Sequence, residues 1–235
     1  MSKKQNELFA AAAMLAFAIV GVYLAATRPR VPPATAPAPA PVSPPGPVAP
    51  ATAYAPEGWK TWTDGESEKD GTAYAGYSVS YPRDFDVLQG ALAAGNWIGV
   101  PRVKIAFPSD SFKEPRSNFA EGYLTVSVGS DAATLKDCYV DPKSGAELTS
   151  VATMNGAEFR RGETVDVGAG QIYTTRIYRA LRFGRCYEAA LTVHTGNIAN
   201  YEPGAAVEFD QEKAFSVLER MFGTFAFTDK NPNGP

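Results

Sequence analysis

Residues 186–228, CYEAALTVHTGNIANYEPGAAVEFDQEKAFSVLERMFGTFAFT, decide the fold. The run opens on alternation. Tyr187, Ala189, Leu191 and Val193 share one face of an extended chain, and Cys186, Glu188, Ala190, Thr192 and His194 share the other. That period of two is the mark of a strand. After a loop the period changes. Ala214, Phe215, Leu218, Met221 and Phe222 form one stripe at helical spacing, behind Asp210 as N-cap, which predicts a helix over 211–222. Gly223 suits the C′ position. Thr224–Thr228 returns to extended chain, with Phe225 and Phe227 on one side.

Upstream the pattern stays strand-like. Strands are predicted at about 157–165, 170–182 and 185–194. Gly168-Ala169-Gly170 and Phe183-Gly184-Arg185 punctuate them, and Asn155-Gly156 reads as a tight hairpin turn because that pair tolerates positive φ. Earlier strands are Tyr77–Tyr81, closed by Pro82, then Val103–Phe107, closed by Pro108, then Gly122–Gly129. Asp131–Cys138 reads as a short helix capped by Asp131 or Ser130, and Trp59 and Trp62 as an edge or lid. Mostly antiparallel strands with one long late helix define an α+β domain over residues 57–229.

Three stretches carry a resemblance. They are Gly76-Tyr77-Ser78-Val79-Ser80-Tyr81-Pro82, the Asn155-Gly156 turn, and Cys186-Tyr187-Glu188 leading through strand and helix to Gly223-Thr224-Phe225-Ala226-Phe227. Over roughly residues 70–228 the chain resembles the PsbP-like class, an α/β/α sandwich around a mostly antiparallel sheet. The run CYEAALTVHTGNIANYEPGAAVEFD resembles that of uncharacterised bacterial membrane-anchored proteins with such a domain. The resemblance implies a non-catalytic domain that docks on other proteins. Its motifs mark fold and not chemistry.

The N-terminal quarter differs in kind. Leu8–Ala26, LFAAAAMLAFAIVGVYLAA, is 19 residues without a charge. At 1.5 Å per residue a helix of that length spans ~28 Å, enough for a hydrocarbon core. It is longer than a usual signal-peptide core of about 7–15 residues, so a retained anchor is expected over a cleaved leader. Residues 29–56 contain 11 prolines. Such composition favours extended polyproline II, at ~3.1 Å per residue, and serves as a spacer. The expected organisation is a cytoplasmic 1–7, a membrane helix 8–26, a disordered linker 27–56, the domain, and a disordered tail 230–235. Lys3, Lys4 and the amino terminus on one flank barely outweigh Arg28 and Arg30 on the other. The charge rule therefore gives only a slight preference for a domain outside the cytoplasm.

Two cysteines, Cys138 and Cys186, support that orientation, since an even count in an oxidising compartment suggests a disulfide. Residues 57–235 hold 18 Lys and Arg against 24 Asp and Glu. That balance argues against nucleic acid and against a domain face lying on anionic lipid. His194 is the single histidine. Glu188 shares its strand face but lies six residues away, ~20 Å by strand rise, too far to share a metal. No serine sits in a nucleophile elbow, and Gly168-x-Gly170 lacks the helix and third glycine of a nucleotide loop. The acidic run Asp64, Glu66, Glu68, Asp70 lacks the terminal glutamate of a calcium loop. No catalytic residue, cofactor or metal is expected.

The distinctive loop is 194–204, HTGNIANYEPG, with His194, Asn197, Ile198, Asn200 and Tyr201 as candidate contacts. The competing structural reading is that Ile198 and Tyr201 staple the loop onto the sheet. The expected function is a membrane-anchored, extracytoplasmic binding or assembly domain, held by the bilayer through 8–26 and engaging an envelope or membrane protein. The alternative is a small-ligand binder or hydrolase using the 194–204 loop. A cavity beside that loop, with convergent polar groups, favours the alternative.

Overall fold

A computed structural model describes residues 56–64, 76–89, 98–112, 116–141 and 143–228. The expected anchor 8–26, its flank 1–7, the linker up to residue 55 and the tail 230–235 lie outside the described residues. Glu66, Glu68 and Asp70 also lie outside them. Among the described residues, no helix is long and apolar enough to cross a membrane.

The domain is α+β and its strand pairing is antiparallel. The larger sheet has seven strands: β3 (Asp86–Gln89), β4 (Val100–Ala106), β5 (Phe119–Gly129), β6 (Ser150–Met154), β7 (Ala157–Gly168), β8 (Gln171–Arg182) and β9 (Arg185–Gly196). Their spatial order is β3-β4-β5-β9-β8-β7-β6. A second sheet joins β1 (Lys60–Asp64), β2 (Gly76–Tyr81) and β10 (Ala226–Thr228), with β2 in the centre. The Trp59–Trp62 region is thus an edge strand, paired residue by residue with β2. The β6-β7-β8-β9 meander follows from the three turns seen in the sequence, at 155–156, 169–170 and 183–184. The short strands β1, β3 and β6 have too few alternating residues to stand out from loop.

Two helices accompany the sheets among the described residues, α1 (Ala132–Lys136) and α2 (Gln211–Gly223). Asp131 caps α1 through Thr134 N–H, and Asp210 caps α2 through Glu212 N–H. The C-terminus of α2 departs from expectation. Gly223 is the last helical residue and not a left-handed C′. Thr224 ends the helix instead: its N–H donates to Met221 O at 3.0 Å and its hydroxyl donates to the same oxygen at 2.7 Å. A threonine that satisfies the last carbonyl removes the need for glycine's positive φ.

The register divides the larger sheet into two unlike faces. Tyr187, Ala189, Leu191 and Val193 of β9 meet Val128, Val126, Leu124 and Gly122 of β5, and Ala180, Tyr178, Arg176 and Thr174 of β8. Against this face pack the buried stripe of α2, Ala214, Phe215, Leu218, Met221 and Phe222, together with Tyr77 and Val79 of β2. Tyr77 and Phe225 stack at 5.1 Å, and Phe159 meets Phe222 edge-on at 5.1 Å. Each buried aromatic or aliphatic side chain contributes about 1.5–3 kcal/mol relative to exposure, so this is where stability resides. Arg176 pins α2 to the rim, lying 4.0 Å over Phe215 and bonded to Glu163, Glu212 and Glu219.

The far face carries charge inside it. Arg179 and Glu188 are cross-strand partners, each with a side chain 2% exposed. Arg179 Nε and Nη2 both donate to Glu188 Oε2, at 2.7 and 2.6 Å. Its Nη1 donates to Val140 O at 2.5 Å and to Cys138 O at 3.4 Å. Burial pushes the Glu188 carboxyl up, and the Arg179 charge opposes the shift. The expected disulfide is present. Cys138 and Cys186 are bonded, with Cα atoms 5.7 Å apart, and the bridge fixes the segment after α1 over this pair.

Removing one charge leaves the other buried alone, which costs about 3–5 kcal/mol. Arg179→Met is therefore expected to lower unfolding free energy by that order in urea titrations. Arg179→Met with Glu188→Met is expected to recover most of the loss. Equal destabilisation by the single and double variants would contradict this account.

Candidate functional site: a cleft beside the end of β9

The covering segment does not extend along the whole far face. Toward the C-terminal end of β9, the register places His194 opposite Glu121 of β5 and Tyr173 of β8. A chain of polar contacts crosses four strands here. Lys104 Nζ lies 3.1 Å from Glu121 Oε2 and 3.8 Å from the centroid of the Tyr123 ring. Glu121 Oε1 lies 3.6 Å from His194 Nδ1. His194 Nε2 lies 2.7 Å from Gln171 Oε1, and the imidazole stacks on Tyr173 with centroids 4.0 Å apart. Burial and the neighbouring Glu121 charge push the Tyr123 hydroxyl pKa up, so it stays protonated.

A β-bulge shapes the site. The β5–β9 register shifts between Phe119 and Glu121, leaving Ala120 as the extra residue. Bulges bend a strand and re-aim the next side chain. Beside it opens a cleft of about 630 Å³. Its apolar wall is Val87, Leu88, Ala106, Phe107 and Pro108, and its polar rim is Asp86, Lys104, Ser109, Glu121 and His194. That volume and mixture match small-molecule sites, typically about 300–1,000 Å³ and mostly apolar with a few placed polar groups.

The structure separates the candidate loop residues. Of the five, His194 alone lines the cleft. Asn197 caps a 3-10 turn, Ile198–Asn200, by accepting from Ala199 N–H. Asn197 N–H and Asn200 Nδ2 both donate to Gly170 O, at 2.8 and 3.3 Å, tying the turn to the β7–β8 hairpin. Tyr201 packs on Gly196, where an added Cβ would lie 2.7 Å from the tyrosine oxygen. Ile198 is half-buried. The anchor of the loop is Asn118, which the sequence did not flag. Its Nδ2 donates to Gly196 O at 2.6 Å and its Oδ1 accepts from Phe209 N–H at 2.7 Å.

Lys104, Glu121 and Gln171 were also missed, because strand positions 17 or more residues apart show no joint signal until register is known. Alternation alone would have put Lys104, Glu121 and His194 at solvent-side positions. Cys138 and Cys186 serve the disulfide and are not free thiols. Among the described residues, no group of three or more His, Cys, Asp or Glu is placed to hold a metal ion.

No family model matches the chain, and no curated protein matches it. Nine solved chains match. One is a crystal structure from Bacteroides thetaiotaomicron VPI-5482, at 14% identity and a TM-score of 0.39. The match covers 68% of this chain and 47% of that one.

Asn118→Ala removes the side-chain partner of one buried group, Gly196 O, and of one partly buried group, the Phe209 N–H, each worth up to about 1–3 kcal/mol. The variant is expected to lose about 2–4 kcal/mol of stability. Hydrogen exchange at the Phe209 amide should quicken by more than the global loss explains. Unchanged local protection would mean that Asn118 does not hold the loop.

Proposed function

We propose that this chain is a binding domain without catalytic activity, tethered by residues 8–26 and displayed outside the cytoplasm, and that its recognition site is the His194 cleft, which favours the small-ligand half of the alternative over docking on an envelope protein. The carrying observation is the convergence of Asp86, Lys104, Glu121 and His194 on one apolar-walled cleft of about 630 Å³. The reading of residues 8–26 as an anchor rests on their 19 uncharged positions. The disulfide supports the location, since such bonds persist in oxidising compartments. A PsbP-like α/β/α sandwich remains our finer reading of the fold. It is supported by α2 on one face of the larger sheet and by the bridge that brings the chain after α1 to the other.

The hydrolase alternative meets a chemical obstacle. Ser109 lines the same cleft as His194, with Glu121 behind the imidazole. A serine–histidine pair needs Nε2 open to accept the hydroxyl proton. Here Nε2 is engaged by Gln171 Oε1 at 2.7 Å. Lys104, Glu121 and His194 each have a fixed partner, which suits recognition of a polar ligand better than proton transfer.

Thermal unfolding against separate panels of amino acids, dipeptides, monosaccharides and nucleotides tests the reading. A ligand at 100 times its Kd adds about 2.7 kcal/mol of stability, a readable rise in midpoint. The expected result is a rise with one class that disappears in Lys104→Ala and His194→Ala. A rise that survives both substitutions, or none with any class, would contradict the cleft as the site. Hydrolysis of p-nitrophenyl acetate abolished by Ser109→Ala would favour the alternative.

A further inference from the structure

Three hairpins of the larger sheet share one turn geometry. Asn155–Gly156, Ala169–Gly170 and Phe183–Gly184 have φ values of 46° and 76°, 49° and 78°, and 50° and 70°. Two successive left-handed residues make a tight turn in which Asn or Asp is favoured first and Gly second. The β6–β7 turn follows that preference, whereas the β8–β9 turn places phenylalanine at the first position. A bulky aromatic in the left-handed region is a conformational outlier. Its ring is also 49% exposed, and Leu181 beside it is 48% exposed. One turn therefore sets aside both a backbone and a solvation preference. Such breaches of local consistency are where function is expected.

Packing accounts for the neighbour and not for the phenylalanine. The Arg182 guanidinium lies 4.7 Å from the Phe227 ring centroid and 5.0 Å from that of Phe183. Arg182 is thus placed by contacts other than Phe183, the Phe227 ring among them. Asparagine at 183 would suit the turn and leave that contact in place.

We propose that the β8–β9 turn is an interfacial tip, with Leu181 and Phe183 entering the interfacial region of the bilayer that carries residues 8–26. This rests on the reading of that segment as an anchor. Area decides the occupant. Two half-exposed side chains on one turn fall far short of the ~800 Å² per partner of a standard protein interface. A bilayer needs less, because the tether supplies a high effective concentration. Aromatic rings favour the head-group level of a bilayer. The acidic balance of the domain, 24 acids to 18 basic residues, opposes a broad face lying on lipid and leaves a narrow tip as the compatible contact.

The test uses the full chain reconstituted in phosphatidylethanolamine–phosphatidylglycerol vesicles. Phe183→Cys carries an NBD fluorophore, and Val207→Cys, whose native side chain is 57% exposed, is the control. Cys138 and Cys186 are bridged and buried, so the label goes to the new thiol. The expected result is blue-shifted emission at 183, quenched several-fold more than at 207 by lipids spin-labelled high on the acyl chain. Water-like emission at 183 in chain that co-floats with vesicles overturns the tip and leaves the anchor reading standing. Chain that fails to co-float overturns both. A response that needs added envelope protein also overturns the tip, in favour of a protein partner. In parallel, Phe183→Asn is expected to keep or raise the thermal midpoint. A fall of several degrees would show that the ring is needed for packing, and the proposal would fail.

Discussion

The buried pair of Arg179 and Glu188 is the interaction on which the far side of this domain depends. Two unit charges, each 2% exposed, lose several kcal/mol of hydration apiece. Their mutual attraction repays that only when the remaining donors are satisfied. The satisfaction comes from Val140 O and Cys138 O, which belong to the chain just after α1. That segment has little apolar surface of its own, and α1 buries no residue. It stays in place because Cys138 is bonded to Cys186, next to Glu188 in β9, and because Tyr139 accepts from Leu181 N–H. The disulfide closes a loop of 48 residues, worth about 3–4 kcal/mol in the loop-entropy model. Bridge, segment and ion pair are therefore one unit. Each makes the others tolerable.

The same segment protects an edge. Strand β6 pairs only with Ala157–Arg161, so residues 162–168 of β7 have β8 on one side and no strand on the other among the described residues. Unpaired edges invite pairing with other chains. Lys143 reaches across, donating to Val165 O and pairing with Asp166 at 2.9 Å. A lysine in that place blocks an incoming strand. Where the segment stops, the far face becomes the cleft around His194. The helix face carries the apolar core, the other face carries the polar cluster beside the cleft, and the disulfide-held segment marks the boundary.

Much of this was legible in the sequence, for identifiable reasons. The β7–β9 meander and α2 were visible because Gly170 and Gly184 punctuate long alternating runs and the Ala214–Phe222 stripe has helical spacing. The disulfide was visible because two cysteines leave one pairing. Strands β3 and β6 were missed because four or five residues seldom show a period, and β1 was legible only as an edge or lid around Trp59 and Trp62. The placement of β10 in a separate sheet was missed because alternation gives a strand but not its neighbour. The site was the least legible. Lys104, Glu121, Gln171 and His194 meet only through register across four strands. The loop that drew attention contributed a single residue to the cleft, its other polar groups being spent on its own turn and on Gly170.

The proposed location and the observed bridge make one joint claim: the domain stands outside the cytoplasm and is held together there by an oxidised Cys138–Cys186 pair. Protease treatment of intact spheroplasts expressing the full chain, followed by alkylation without reductant and mass spectrometry, tests it most directly. The account predicts that external trypsin removes the domain before lysis, and that Cys138 and Cys186 are recovered only in one disulfide-linked peptide pair. A domain protected until lysis, with both cysteines alkylated, would contradict it.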